Sequence, residues 1–113
     1  MKHKFRLTRS TDFKRVRRLG RSYAHPLVVL VVLRNTAGEL HIGITASRTV
    51  GGAVQRNRVR RQVKACFDDF IPHLRPGWDL VLVARQPIIN AEYSAIRSGI
   101  TRLLEQAGLM VER

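Results

Sequence analysis

The apolar positions of this chain fall at two spacings, helical and extended, which take turns along its length. Residues 1–9 are basic and polar around Phe5 and Leu7 and predict a partly extended, flexible basic arm. Phe13, Val16 and Leu19 recur at helical spacing. They predict a short helix over 11–18 with Ser10 as its cap and Gly20 as its stop. Tyr23–Leu33 reads as one strand, with Pro26 suggesting an edge or a bend near its start. The run Leu27–Leu33 does not alternate, which predicts cover on both faces. Asn35–Gly38 is a turn signal. After it, Leu40, Ile42, Ile44 and Ala46 alternate with His41, Gly43, Thr45 and Ser47, as in a strand with one apolar face. These two strands are expected to pair as an antiparallel hairpin.

Beyond a loop at Arg48–Gly52, Val59, Val63, Cys66, Phe67 and Phe70 form the buried stripe of a helix over about 53–70. Pro72 and Pro76–Gly77 break the chain. Trp78–Ala84 is a short apolar strand. A last helix, capped by Asn90 and ended by Gly108, carries Tyr93, Ile96, Ile100, Leu103, Leu104 and Ala107 on one side. Helices and strands in this order predict a single α+β domain over residues 1–113, one small sheet with helices on it. Apolar residues make up 44% of the chain, enough for a core.

Charge changes this picture. The formal net charge is +13. Residues 1–21 hold nine Lys/Arg against one Asp, and residues 48–64 hold six with no acid, so the remainder is nearly neutral. Two concentrated basic stretches are an electrostatic footprint for nucleic acid or an anionic membrane. The second stretch opens the helix over 53–70, where Arg56, Arg58, Arg60, Arg61 and Lys64 precede Asp68 and Asp69. A helix N-terminus already carries partial positive charge, so this order opposes the helix dipole, and a bound phosphate chain would offset it. Arg outnumbers Lys seventeen to four, which suits phosphate forks and base stacking. Phe5 and Phe13 sit beside the first basic cluster and fit either base stacking or the core. No membrane is expected as a partner, since Leu27–Leu33 is too short to span one. No export signal is evident, and the single Cys66 fits a reducing compartment; both point to the cytoplasm.

Catalytic chemistry is not evident. The eight acidic residues are scattered, and Asp68 and Asp69 point about 100° apart on their helix. The four histidines lack metal-ligand spacing. His41, on the less apolar strand face, could line a cleft but reads first as a surface histidine, and Cys66 reads as a packed core thiol. No self-contained catalytic site and no protein-held metal are expected, and no small-molecule substrate.

Three segments together resemble one family. Gly51-Gly52-Ala53-Val54-Gln55-Arg56-Asn57-Arg58-Val59-Arg60-Arg61, following Ile42-Gly43-Ile44-Thr45-Ala46-Ser47-Arg48, is similar to the signature of the bacterial ribonuclease P protein subunit. Arg6-Leu7 with Asp12-Phe13 and Val16 resembles its N-terminal segment, and Asp79–Arg85 its penultimate strand. The resemblance implies a small, mostly antiparallel four-stranded sheet with three helices, like the second domain of ribosomal protein S5, containing a left-handed strand-helix-strand crossover. Most crossovers are right-handed, so general rules would favour the other hand.

The resemblance further implies a non-catalytic protein subunit of an RNA-based endonuclease. The partner RNA removes the 5′ leader of precursor tRNA with Mg2+ held mainly by the RNA, and the isolated protein is inactive. Arg48, Arg56, Asn57, Arg58, Arg60, Arg61 and Lys64 would face the RNA subunit. Phe13, Arg17, Val29, Val31 and Ser47 would line a cleft for the leader. The family commonly has aromatics where this chain has Arg17 and Val31, so phosphate contacts are expected to weigh more here. The alternative is a ribosomal-type RNA-binding protein with a structural role and no part in cleavage.

Overall fold

In a computed structural model, residues 1–111 are described. Three helices and four strands follow the chain: α1 Ser10–Leu19, β1 Arg21–Ala24, β2 Val28–Arg34, β3 Leu40–Thr45, α2 Ala53–Phe70, β4 Trp78–Ala84 and α3 Tyr93–Gln106. Single 3-10 turns lie at His3–Phe5, Ile71–His73 and Gln86–Asn90. The sheet order is β1-β2-β4-β3, antiparallel except for the parallel pair β3 and β4, which α2 connects. This is the α+β domain that the pattern predicts.

Two corrections concern the strands. Tyr23–Leu33 is not one strand but two, β1 and β2, folded on each other at His25–Leu27. Pro26 has no N–H for a ladder, and the turn closes with His25 N donating to Val28 O at 2.9 Å and Leu27 N donating to His25 Nδ1 at 3.1 Å. The expected hairpin between β2 and β3 does not form, because β4 lies between them. The reason is burial. Leu80, Val81 and Leu82 are fully buried. Only a central strand, covered on both faces and paired on both edges, satisfies such a segment.

The sheet carries helices on both faces. Val28, Leu30, Val32, Ile42, Leu80 and Leu82 join the α2 stripe Val59, Val63, Cys66, Phe67 and Phe70 and the α3 residues Ile96, Ile100, Leu103 and Leu104 in one core. Each such large side chain contributes about 1.5–3 kcal/mol on burial. The opposite face holds a smaller cluster of Leu7, Val16, Val31 and Val81 beneath α1. Hence β2 shows no alternation. The edge strand β3 is partly covered by the arm, where Leu7 N donates to Ile42 O at 2.9 Å.

Helix ends differ from expectation in detail. Arg9, not Ser10, is the N-cap residue of α1, and Glu92, not Asn90, that of α3; Asn90 closes the preceding 3-10 turn. Leu19 is 59% exposed, beyond the reach of the sheet. Gly20 ends α1 by close approach, since a Cβ there would lie 2.5 Å from Val16 O and 2.8 Å from Val32 O. Tyr93 lies at the exposed margin of its stripe. Gln55 Oε1 accepts from Gly52 N at 2.9 Å and so satisfies one backbone donor at the start of α2.

Candidate nucleic-acid interface

The register of the sheet sets out the α1 face in three rows. Val31, Val81 and Gly43 lie side by side in the middle row. Val29, Val83 and Thr45 form the row on one side, Leu33, Asp79 and His41 the row on the other. The middle row takes the weight of α1. Val16 packs onto Val31 and Val81, and the Phe13 ring lies on Gly43, where a Cβ would come within 2.6 Å of two ring carbons. Residues two apart on a helix point about 200° apart. Arg15 and Arg17 therefore fall on opposite flanks of α1, over different rows.

On the Arg17 flank is a groove of about 360 Å³, lined by Phe13, Lys14, Arg17, Ile44, Thr45 and Arg60 among others. Phe13 is half-buried and Arg17 exposed. Arg60 reaches this groove from α2: its Nη2 donates to Ala46 O at 3.2 Å and its Nη1 to Asn57 Oδ1 at 3.1 Å. Val29 is half-buried at the next strand but one from Thr45. Val31 is 4% exposed and supports α1 from beneath instead of facing the groove. Ser47 and Arg48 are exposed in the loop that leads to α2, where Ser47 and Thr49 hydroxyls hydrogen-bond at 2.7 Å.

The apolar stripe of α2 pins that helix, so its remaining sides face out. Asn57, Arg58 and Arg61 are exposed, and Arg56, Arg60 and Lys64 half-exposed. The first turn holds no acid. Arg56 Nε is buried without a hydrogen-bond partner among the described residues. The acids at the far end are engaged elsewhere: Asp69 Oδ2 accepts from Arg97 Nη1 at 2.6 Å, and that guanidinium stacks on Phe70. Cys66 is fully buried, and burial pushes its thiol up in pKa, as for an unreactive core cysteine.

Sequence reasoning missed the cluster on the other flank. Asp79 is 2% exposed, the one buried charged residue among the described residues. Its Oδ2 accepts from Arg15 Nη2 at 2.7 Å; its Oδ1 accepts from Asn35 Nδ2 at 2.9 Å and from His41 Nδ1 at 2.9 Å. Burial alone would raise this carboxyl, but the hydrogen bonds from Arg15, Asn35 and His41 outweigh it and hold the pKa below the usual range. Arg15 is raised in turn, by its hydrogen bond to Asp79 above all. So His41 is not a plain surface histidine. The available signal was an acid opening an otherwise apolar strand. Among the described residues no three His, Cys, Asp or Glu side chains group as a metal site.

Comparisons with known proteins find the same family and fold along the chain. The family model for Ribonuclease P matches residues 1–108. The Ribonuclease P protein component of Herpetosiphon aurantiacus is 38% identical over 113 residues, spanning 100% of this chain and 92% of that protein. That of Chloroflexus aurantiacus is 40% identical over 111 residues, spanning 97% and 82%. Among solved structures, the Staphylococcus aureus RNase P protein superposes with a TM-score of 0.87 at 26% identity, over 94% of this chain and 97% of that one. The Thermotoga maritima RNase P protein, at 24% identity, shares the fold with a TM-score of 0.81 over 89% and 96%.

Proposed function

The chain belongs to the ribonuclease P protein family, and from that premise we propose how it divides its surface between two RNAs. The outward sides of α2 bind the catalytic RNA, with Arg56, Asn57, Arg58, Arg61 and Lys64 as contacts and Arg48 beside them. The groove on the Arg17 flank of α1 takes the single-stranded 5′ leader of precursor tRNA. Phe13 offers its ring and Arg17 and Arg60 offer guanidinium groups, while Val29, in the Thr45 row two strands away, and Ser47, two residues beyond Thr45, would extend the surface past the groove. Val31 acts through α1, which it supports.

One observation carries this reading. The apolar stripe of α2 and its contacts with the sheet turn the cationic half of the helix outward and, through Arg60, up to the same groove that Phe13 and Arg17 line. A polyanion there relieves repulsion among like charges and opposes no acid in the first turn. In this reading Mg2+ would be held mainly by the RNA, which supplies the hydrolytic chemistry. The protein's part is positioning: phosphate contacts fix register, and the groove extends substrate binding beyond the tRNA body.

The test is reconstitution. With a bacterial ribonuclease P RNA and magnesium, the protein is expected to lower the magnesium needed for cleavage of precursor tRNA at the mature 5′ end; without that RNA it is expected to cleave nothing. Binding of RNA with no effect on cleavage would instead favour a purely structural RNA-binding role. Cleavage by the protein alone would sink the assignment of chemistry to the RNA.

A further inference from the structure

We propose that the concave surface on the Arg15 flank of α1 is a second phosphodiester-binding site, separate from the Phe13–Arg17 groove. The proposal rests on the ribonuclease P reading and deepens it. Four residues along the strands separate the His41–Asp79 row from the Thr45–Val83 row. That is on the order of 13 Å, so one bound phosphate cannot serve both flanks.

The site is a basin of about 440 Å³ with Asp79 at its floor and Arg6, Arg9, Arg15 and Arg34 around it. The floor is what distinguishes it from a solvated basic rim. Both Asp79 oxygens are occupied by donors from three different elements, so the carboxylate is neutralised and repels an incoming anion little. It also orients what it holds. One amino group of Arg15 is clamped at 2.7 Å, while its Nη1 and Nε make no hydrogen bond to the described residues and the side chain stays 38% exposed. A guanidinium fixed along one edge presents the other already ordered, so less side-chain entropy is lost when a phosphate docks. His41 is fixed the same way, its Nδ1 on Asp79 and its Nε2 turned to the other side, 3.7 Å from Glu39.

Arg6, Arg9 and Arg34 make no side-chain hydrogen bond among the described residues and are exposed at the rim. Asp12 opposes them, but its Oδ1 is 3.4 Å from Arg15 and partly compensated. Four arginines against two engaged carboxylates leave the basin cationic. Planar forks around a small concavity suit one or two phosphodiesters of an RNA strand. The strand can come from the catalytic RNA or from the leader.

Two variants test the site without removing its floor. Arg9→Gln/Arg34→Gln neutralises the rim outside the Asp79 network. Arg15→Lys keeps a cation beside Asp79 and loses the fork. Each is compared with the wild type for binding to ribonuclease P RNA across a salt series, and for the precursor-to-mature tRNA affinity ratio with leaders of increasing length. The double variant is expected to flatten the log–log salt slope by about one to two units in one of these assays. A change in RNA-subunit binding identifies the catalytic RNA as the source, and a change confined to long leaders identifies the leader. Folded variants that alter neither overturn the proposal. A third readout does not depend on the ribonuclease P reading. In the 15N-labelled wild-type protein, the Arg15 Nε–Hε signal should shift on titration with an oligouridylate pentamer, while Arg102, on α3, should not. If the wild type supports no cleavage but Arg15 responds, the functional reading fails and the site stands; an unresponsive Arg15 removes the site.

Discussion

At Asp79 a single carboxylate ties α1, the turn before β3, β3 itself and β4 together. Its pKa is lowered in the folded state. A lowered carboxylate stabilises the fold above its unfolded value of about 3.9, and that stability is lost as pH falls through the folded value. Asp79→Asn should therefore cost about 2–3 kcal/mol at pH 6, less than for a wholly buried pair because Arg15 is part exposed. The difference should begin to shrink below about pH 4 and go on shrinking as pH falls toward the lowered folded value. Urea unfolding of both proteins at pH 6 and pH 3 checks this, and an equal gap at the two values would remove the carboxylate's charge from the account. This cluster was hidden in the sequence because its members are 38 to 64 residues from Asp79. Periodicity reports which face a residue takes, not which distant partner waits there. Cys66 shows the converse: its place on the α2 stripe was enough to mark it as core.

For helices, local pattern carried far. The bounds of α2 and all five of its buried residues follow from spacing alone, because an 18-residue amphipathic helix repeats its signal several times. Strand pairing did not follow. The Asn35–Gly38 turn is real, with Gly38 N donating to Asn35 Oδ1 at 3.1 Å, yet the strands it joins are not neighbours. A turn signal states where the chain reverses, and the burial of β4 decides what lies between. For the interface, α2 also makes a sharp prediction. Arg56→Ala/Arg58→Ala/Arg61→Ala should keep the helix, since Ala has the best helix propensity. It should flatten the salt dependence of RNA-subunit binding by about two to three units of log–log slope. Filter binding between 50 and 400 mM salt reads this directly (concentrations on the order of those over which counterion release is resolved). An unchanged slope would leave the helix as a solvated charged face.

At the scale of the molecule, a charge of +13 on a domain with a 13.0 Å radius of gyration is a strong self-repulsion. Ions that bind the native cationic surfaces should stabilise the fold by mass action. Sulfate or phosphate is expected to raise Tm well above what chloride does at equal ionic strength. Equal shifts would mean screening alone.

The place of β4 has a consequence for biosynthesis. Strands β2 and β3 both hydrogen-bond to a segment that the ribosome makes after α2. Until residue 84 has left the exit tunnel, the β1–β2 hairpin is the one pairing open to the described strands, and the arginine-rich helix emerges before it has a closed sheet to rest on. Late, non-local closure of this kind delays folding until the missing strand arrives. The nascent chain thus displays this cationic helix beside ribosomal RNA while still unfinished. A polypeptide ending at Pro76 should show no cooperative unfolding transition, and restoring residues 77–111 should bring the transition back; a cooperative transition in the shorter chain would mean that β4 is an addition to a fold already complete.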